Sequence, residues 1–186
     1  MAFWHTHMLL RGAPLLRRVI AFDALPSEIN PFGSYAEGGY NVMNAGDNWL
    51  ASDVFGNPRP SLFVADFTTA PFGFLFVTGG GPFKFVSVDT EFELQPGSVR
   101  ISGVLNGVQQ FDIGANQAAA VGLAFTTFSG NSSLMIDVLS IGIGLAGPGS
   151  FNVDNINVVA VPESETYAFM LAGVGVIGLM ARRKKR

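Results

Sequence analysis

Cysteine is absent from this chain of 186 residues. No disulfide, thiolate nucleophile or zinc–thiolate centre can therefore be built from it. Histidine is almost absent: His5 and His7, both near the start, are the only two. Between Val19 and Val161 there is neither His nor Cys, and Lys84 is the single lysine. Ser–His–Asp, Cys–His and imidazole–metal chemistry are thereby excluded from that stretch. Charge is sparse as well, at 13%. A helical bundle, which draws on Glu, Lys, Ala and Leu, is a poor fit to such a composition. Gly79-Gly80-Gly81-Pro82 lacks the following Lys-Ser/Thr and helix of a phosphate-binding loop.

The few basic residues cluster at the ends. Arg11, Arg17 and Arg18 lie near the start, and Arg182, Arg183, Lys184, Lys185 and Arg186 form the finish. Between Val19 and Val161 only Arg59, Lys84 and Arg100 remain against 12 acidic residues, a net charge near −9. So acidic a domain is repelled by phosphate backbones, which excludes nucleic acid as a partner class. Cations and neutral sugars stay open.

Glycine (23) and phenylalanine (17) are abundant, a composition suited to short strands and turns. β-Formers concentrate at 19–23, 35–42, 62–67, 73–77, 83–94, 99–105, 108–113, 121–128, 134–141 and 150–159. Gly, Pro, Asn or Ser bounds most of these segments, and Gly79–Pro82 reads as a loop. Asn106-Gly107 is a strong hairpin signal. About ten strands at this spacing predict an all-β domain over 19–160, an antiparallel β-sandwich or jelly roll. Residues 1–18 read as a poorly structured or misassigned leader. Arg11, Pro14, Arg17 and Arg18 interrupt the apolar run that a signal peptide needs.

Residues 167–181 carry no charge, and five consecutive cations follow. As a helix this run spans about 22 Å, and snorkelling arginines extend its reach toward the roughly 30 Å of a bilayer core. Glu163 and Glu165 at its start and the cations at its end suit the helix dipole. A single transmembrane helix is expected, with Arg182–Arg186 as a membrane stop on the cytoplasmic side.

The order Val161-Pro162-Glu163-Ser164, apolar glycine-bearing helix, arginine-rich end resembles the PEP-CTERM sorting signal of Gram-negative bacteria. That signal is also catalogued as the ice-binding-protein C-terminal domain. Ser164 stands where the family has its second proline. The resemblance covers residues 161–186. It implies an exosortase as partner, cleavage near Pro162–Glu163, transient residence in the inner membrane with the domain periplasmic, and then a cell-surface or extracellular location. A looser resemblance covers the ectodomain. Ile20-Ala21-Phe22-Asp23, the segment Tyr35–Tyr40 and Phe151-Asn152-Val153-Asp154-Asn155-Ile156 are similar to jelly-roll, carbohydrate-binding-like domains whose first and last strands pair.

Three candidate sites follow. Asp23, Asp154 and Asn155 offer oxygens to a Ca²⁺ ion, or else cap turns; no other cofactor is indicated. Tyr35, Tyr40 and Trp49 offer rings on which a sugar can stack, or else belong to the core. Asp89, Glu91 and Glu93 share one strand face by parity, as a solvated face or as a carboxylate pair of the kind glycosidases use. We read the chain as a non-enzymatic, exported envelope, surface or matrix protein held by the bilayer and processed by an exosortase. The alternative is a module for exopolysaccharide or another glycan. A carboxylate-only hydrolase is the third and weakest class.

Overall fold

A computed structural model describes residues 16–26, 28–53, 59–120, 124–130 and 133–161. The expected helix at 167–181, the sorting residues Pro162, Glu163 and Ser164, the basic end 182–186 and both histidines lie outside the described residues. The described chain is all-β and its strands pair antiparallel throughout. They are β1 (Arg17–Ile20), β2 (Asn30–Pro31), β3 (Ser34–Glu37), β4 (Tyr40–Asn44), β5 (Leu50–Ser52), β6 (Ser61–Asp66), β7 (Phe72–Glu93), β8 (Gly97–Leu105), β9 (Val108–Gln117), β10 (Thr126–Ser129), β11 (Ile136–Leu145) and β12 (Gly149–Ala160).

The strand β7 organises the rest. Its first half pairs with β4 and β11, and its second half with β12 and β10. One layer therefore runs β3-β4-β7-β11-β8-β9 and the other β2-β5-β6-β12-β7-β10, with β1 also on β12. Gly79–Pro82, expected as a loop, lies inside this strand. Glycines without Cβ let the backbone bend there without leaving the sheet. The side-chain alternation survives the bend: Leu75, Val77, Phe83 and Phe85 all face the core.

Further sequence expectations meet the structure at the turns and at the first strand. Residues 35–42, expected as one strand, form a hairpin of β3 and β4, turned by Gly38 (φ 59°) and Gly39 (φ 90°). Asn106 (φ 51°) and Gly107 (φ 77°) close the β8–β9 hairpin, with Leu105 opposite Val108. These positive angles match a two-residue primed turn. The first and last strands pair as expected, Ile20 opposite Ile156. Strand β1 begins at Arg17, two residues inside the segment expected to be unstructured.

The core is aromatic. Phe22, Phe83, Phe85, Phe92, Phe151 and Trp49 are all buried, each worth about 1.5–3 kcal/mol for its apolar surface. Rings this large fit because glycines face them. A Cβ at Gly97 would collide with the Phe92 ring and approach the Gly144 carbonyl oxygen to 2.8 Å, and one at Gly73 would come within 2.8 Å of the Trp49 indole. Gly97→Ala is expected to lower stability by roughly 1–3 kcal/mol. Gly80→Ala, which meets nothing within 4 Å, is expected to change it by less than about 0.5 kcal/mol. Urea denaturation of both variants checks this contrast, and equal losses would show that the Phe92–Gly97 fit is not tight.

Candidate functional site

Two polar regions stand out on the finished sandwich. The first is a ladder on the β6-β12-β7-β10 layer, on the face opposite Phe92, Phe151 and Val153. Cross-strand register sets Glu93 opposite Ser150, Glu91 opposite Asn152 and Asp89 opposite Asp154, so the expected sharing of one face by Asp89, Glu91 and Glu93 holds. The Ser150 hydroxyl donates to Glu93 Oε2 at 2.5 Å, the Asn152 amide donates to Glu91 Oε2, and the Thr127 hydroxyl donates to Asp89 Oδ1 at 2.6 Å. This is not the solvated face expected for three carboxylates. Glu91 is 1% exposed, and Asn152 and Asp154 are fully buried. Burial pushes the Glu91 carboxyl up from its ordinary value, partly offset by the Asn152 amide and reinforced by Glu93.

A bulge explains how the ladder coexists with an apolar interior. The register slips between Asp154 and Asn157, with Asn155 at φ 48°. Asparagine tolerates that left-handed angle better than most residues. The extra residue lets Asp154 share the face of Asn152 while Ile156 returns to the core. It also lets the Asn155 amide donate to Asp89 Oδ2 at 3.1 Å and Asp154 Oδ2 at 3.3 Å. Asp154 and Asn155 therefore meet Asp89. Asp23 is exposed in the turn after β1, where its charge acts on the Tyr35 phenol. Among the described residues no three carboxylates or imidazoles converge as metal ligands.

Of the two readings of Tyr35, Tyr40 and Trp49, stacking platform or core, burial favours the core for Tyr40 and Trp49. Trp49 is 1% exposed and packs edge-on against Phe151 at 5.4 Å. Tyr40 is 6% exposed and packs edge-on against Phe83 at 5.3 Å. Rings used in the core have no face left for a sugar. Tyr35 is half-buried against Phe22 at 5.3 Å, and its hydroxyl accepts from the Ala24 N–H at 3.4 Å. Burial raises its phenol, opposed by that hydrogen bond.

The second region is an open cleft of about 650 Å³ where the β4–β5 connection meets the β6–β7 connection. Gly46, Asp47 and Asn48 form one wall, and Asp66–Phe72 the other. Phe67 (65% exposed) and Phe72 (63%) stand at the surface, with Phe74 (42%) beside Phe72 at a ring distance of 6.3 Å. Solvent-facing rings grouped in this way mark a contact surface. The acids here are fixed. Asp47 Oδ2 accepts from the Phe74 N–H at 2.8 Å. Asp66 Oδ1 accepts from the Thr68 N–H (2.8 Å), the Thr68 hydroxyl (2.6 Å) and the Thr69 N–H (3.0 Å), and its Oδ2 accepts from the Thr69 hydroxyl. These bonds hold the Asp66 carboxyl far below its usual range, as an anion.

These cleft residues were hidden in the sequence because every phenylalanine there reads as core. One signal was available. In Phe72-Gly73-Phe74-Leu75-Phe76-Val77 the period of two puts the phenylalanines opposite Leu75 and Val77, so only one of the two sets can face inward.

No protein-family model matches the chain, and no curated protein sequence matches it. Solved structures of similar fold exist. A DUF4465 family protein from Bacteroides caccae superposes with a TM-score of 0.52 at 9% identity, covering 78% of this chain and all of that one. CBM29_1, a family 29 carbohydrate binding module from Piromyces equi, gives 0.47 at 14% identity over 80% of this chain and 93% of that one. TmCBM61, solved with β-1,4-galactotriose, gives 0.43 at 7% identity over 67% of this chain and 90% of that one. At these identities the likeness lies in the path of the chain alone.

The buried Glu91 sets a pH dependence. Its raised folded value means that the folded state holds the proton more tightly than the unfolded chain. Its stabilising contribution is complete below the unfolded value and is lost as pH rises through the folded one. Glu91→Gln is therefore expected to melt a few degrees above the parent at pH 7, since about 1 kcal/mol moves a domain of this size by about 2–4 °C. The gap should close as the pH falls below the ordinary glutamate range. A thermal melt series against pH checks this, and a variant less stable at pH 7 would contradict it.

Proposed function

We propose that this chain is a non-enzymatic, glycan-binding β-sandwich of the bacterial cell surface or matrix, delivered there by its C-terminal sorting sequence. The cleft beside β7 carries the binding part of this reading. Exposed Phe67 and Phe72 offer apolar faces on which pyranose rings can stack. Asp47, Asn48 and Asp66 stand within the same 650 Å³ to meet hydroxyls. Few, well-held polar groups beside aromatic rings are what a small-ligand site needs.

The carboxylates of the cleft support binding over hydrolysis. A glycosidase needs one carboxyl that gives up a proton near neutral pH and a second as base or nucleophile. Asp66 is held ionised by its threonine neighbours, and Asp47 is tied to the backbone of β7. Asp66 is thereby unsuited to the acid role. The ladder carboxylate with the raised value, Glu91, is buried.

The sorting part rests on the resemblance of residues 161–186. β12 ends at Ala160, and the Val161 N–H donates to the Pro82 carbonyl at 3.1 Å, where that resemblance begins. Exosortase cleavage near Pro162–Glu163 would spare β12.

Two measurements test the two parts. On a glycan array the parent is expected to bind, and Phe67→Ala and Phe72→Ala to weaken binding about tenfold each, equivalent to about 1.4 kcal/mol, without lowering the melting temperature. Unchanged binding in both variants would place the site elsewhere. Mass spectrometry of the mature protein from its bacterial host is expected to show an end near Pro162, and a chain still ending in Arg186 would refute processing.

A further inference from the structure

The cleft carries one carboxylate on each wall, Asp47 on one and Asp66 on the other. Its titratable residues are Asp47 and Asp66, and no lysine or arginine lines it among the described residues. Both carboxylates are anchored, so neither can swing away from a ligand. Asp47 is held through Oδ2, so Oδ1 keeps acceptor capacity. Asp66 takes three of its four hydrogen bonds on Oδ1, so Oδ2 keeps acceptor capacity beyond the Thr69 hydroxyl. A ligand that fits must be rich in donors, carry no negative charge, and have an apolar face for Phe67 and Phe72.

We infer that the cleft selects glycans by charge, taking amine-bearing sugars of the glucosamine type and rejecting uronates. This rests on the glycan-binding reading above and names its substrate class. A protonated 2-amino group brings three N–H donors and a positive charge to the two aspartates. It also gains from lying near the face of an aromatic ring, within about 6 Å of its centre. A uronate carboxylate would bring like charge against fixed anions with no cation to relieve it.

Calorimetric titration of the full chain with three hexasaccharides tests this: glucosamine, N-acetylglucosamine and galacturonate. The titrations are run at about pH 5.5, where the amine is protonated. The glucosamine hexamer is expected to bind about tenfold more tightly than its N-acetylated form, and the galacturonate hexamer not to bind measurably. Raising NaCl from about 50 to about 500 mM should cut that preference several-fold, because exposed charges are screened. Asp47→Asn and Asp66→Asn should each reduce it to about threefold. Asp47→Asn leaves the Asp66 turn intact, so the test survives a poorly folded Asp66 variant. Galacturonate binding as tight as glucosamine, or a preference unmoved by either substitution, would overturn the inference while sparing the glycan reading. Glucosamine binding that persists in a Phe67→Ala/Phe72→Ala double variant would overturn it too, as general attraction to an acidic protein. Binding of none of the three would count against both this inference and the glycan reading.

Discussion

The packing of large aromatic rings against glycine is the contact on which the rest of this structure depends. Phe92 lies where a Cβ on Gly97 would stand, and Phe85 does the same at Gly130. Each ring fits only where the neighbouring glycine gives up its side chain. The packed interior tolerates little adjustment in either direction. β7 makes the closure possible, because one strand serves both layers and carries core residues in each.

The same contact explains why a cleft forms at the start of β7. Trp49 sits in the core beneath Gly73 and pins the end of the β4–β5 connection. Asp47, two residues earlier, then reaches the Phe74 N–H. Phe72 and Phe74 are pushed outward by the alternation that puts Gly73 and Leu75 inward. The exposed rings thus belong to a strand held by its core partners, and a site on a rigid element keeps its geometry better than one on a free loop. The buried ladder of Glu91, Asn152 and Asp154 lies in the other layer, where its hydrogen bonds join β12 to β7 and hold the sandwich together.

Much of this was legible in the sequence where local chemistry decides the outcome. Asn106-Gly107 gave its turn away, and the pairing of the first strand with the last followed what the jelly-roll resemblance implies. The β-class followed from glycine and phenylalanine with little charge. What stayed hidden depends on tertiary context. Gly79–Pro82 resembles a loop because its composition does, and only the neighbours on both sides keep it in a strand. Glu91 reads as a surface carboxylate by its chemistry, yet the fold buries it. Trp49 and Tyr40 read as sugar-stacking rings or as core, whereas Phe67 and Phe72 read as core. Residue type alone could not sort these rings, because an aromatic side chain serves a core and a sugar site equally well. Only their positions relative to β7 separate them.

The central claim is that glycan binds between the β4–β5 and β6–β7 connections. Backbone amide NMR shifts recorded while a glucosamine hexamer or its N-acetylated form is titrated into isotope-labelled protein test it most directly. The account predicts shifts concentrated at Gly46–Asn48 and Asp66–Phe74, with β9 and β12 unmoved. Shifts centred on Asp89, Glu91 and Asp154, or spread evenly over the surface, would contradict it.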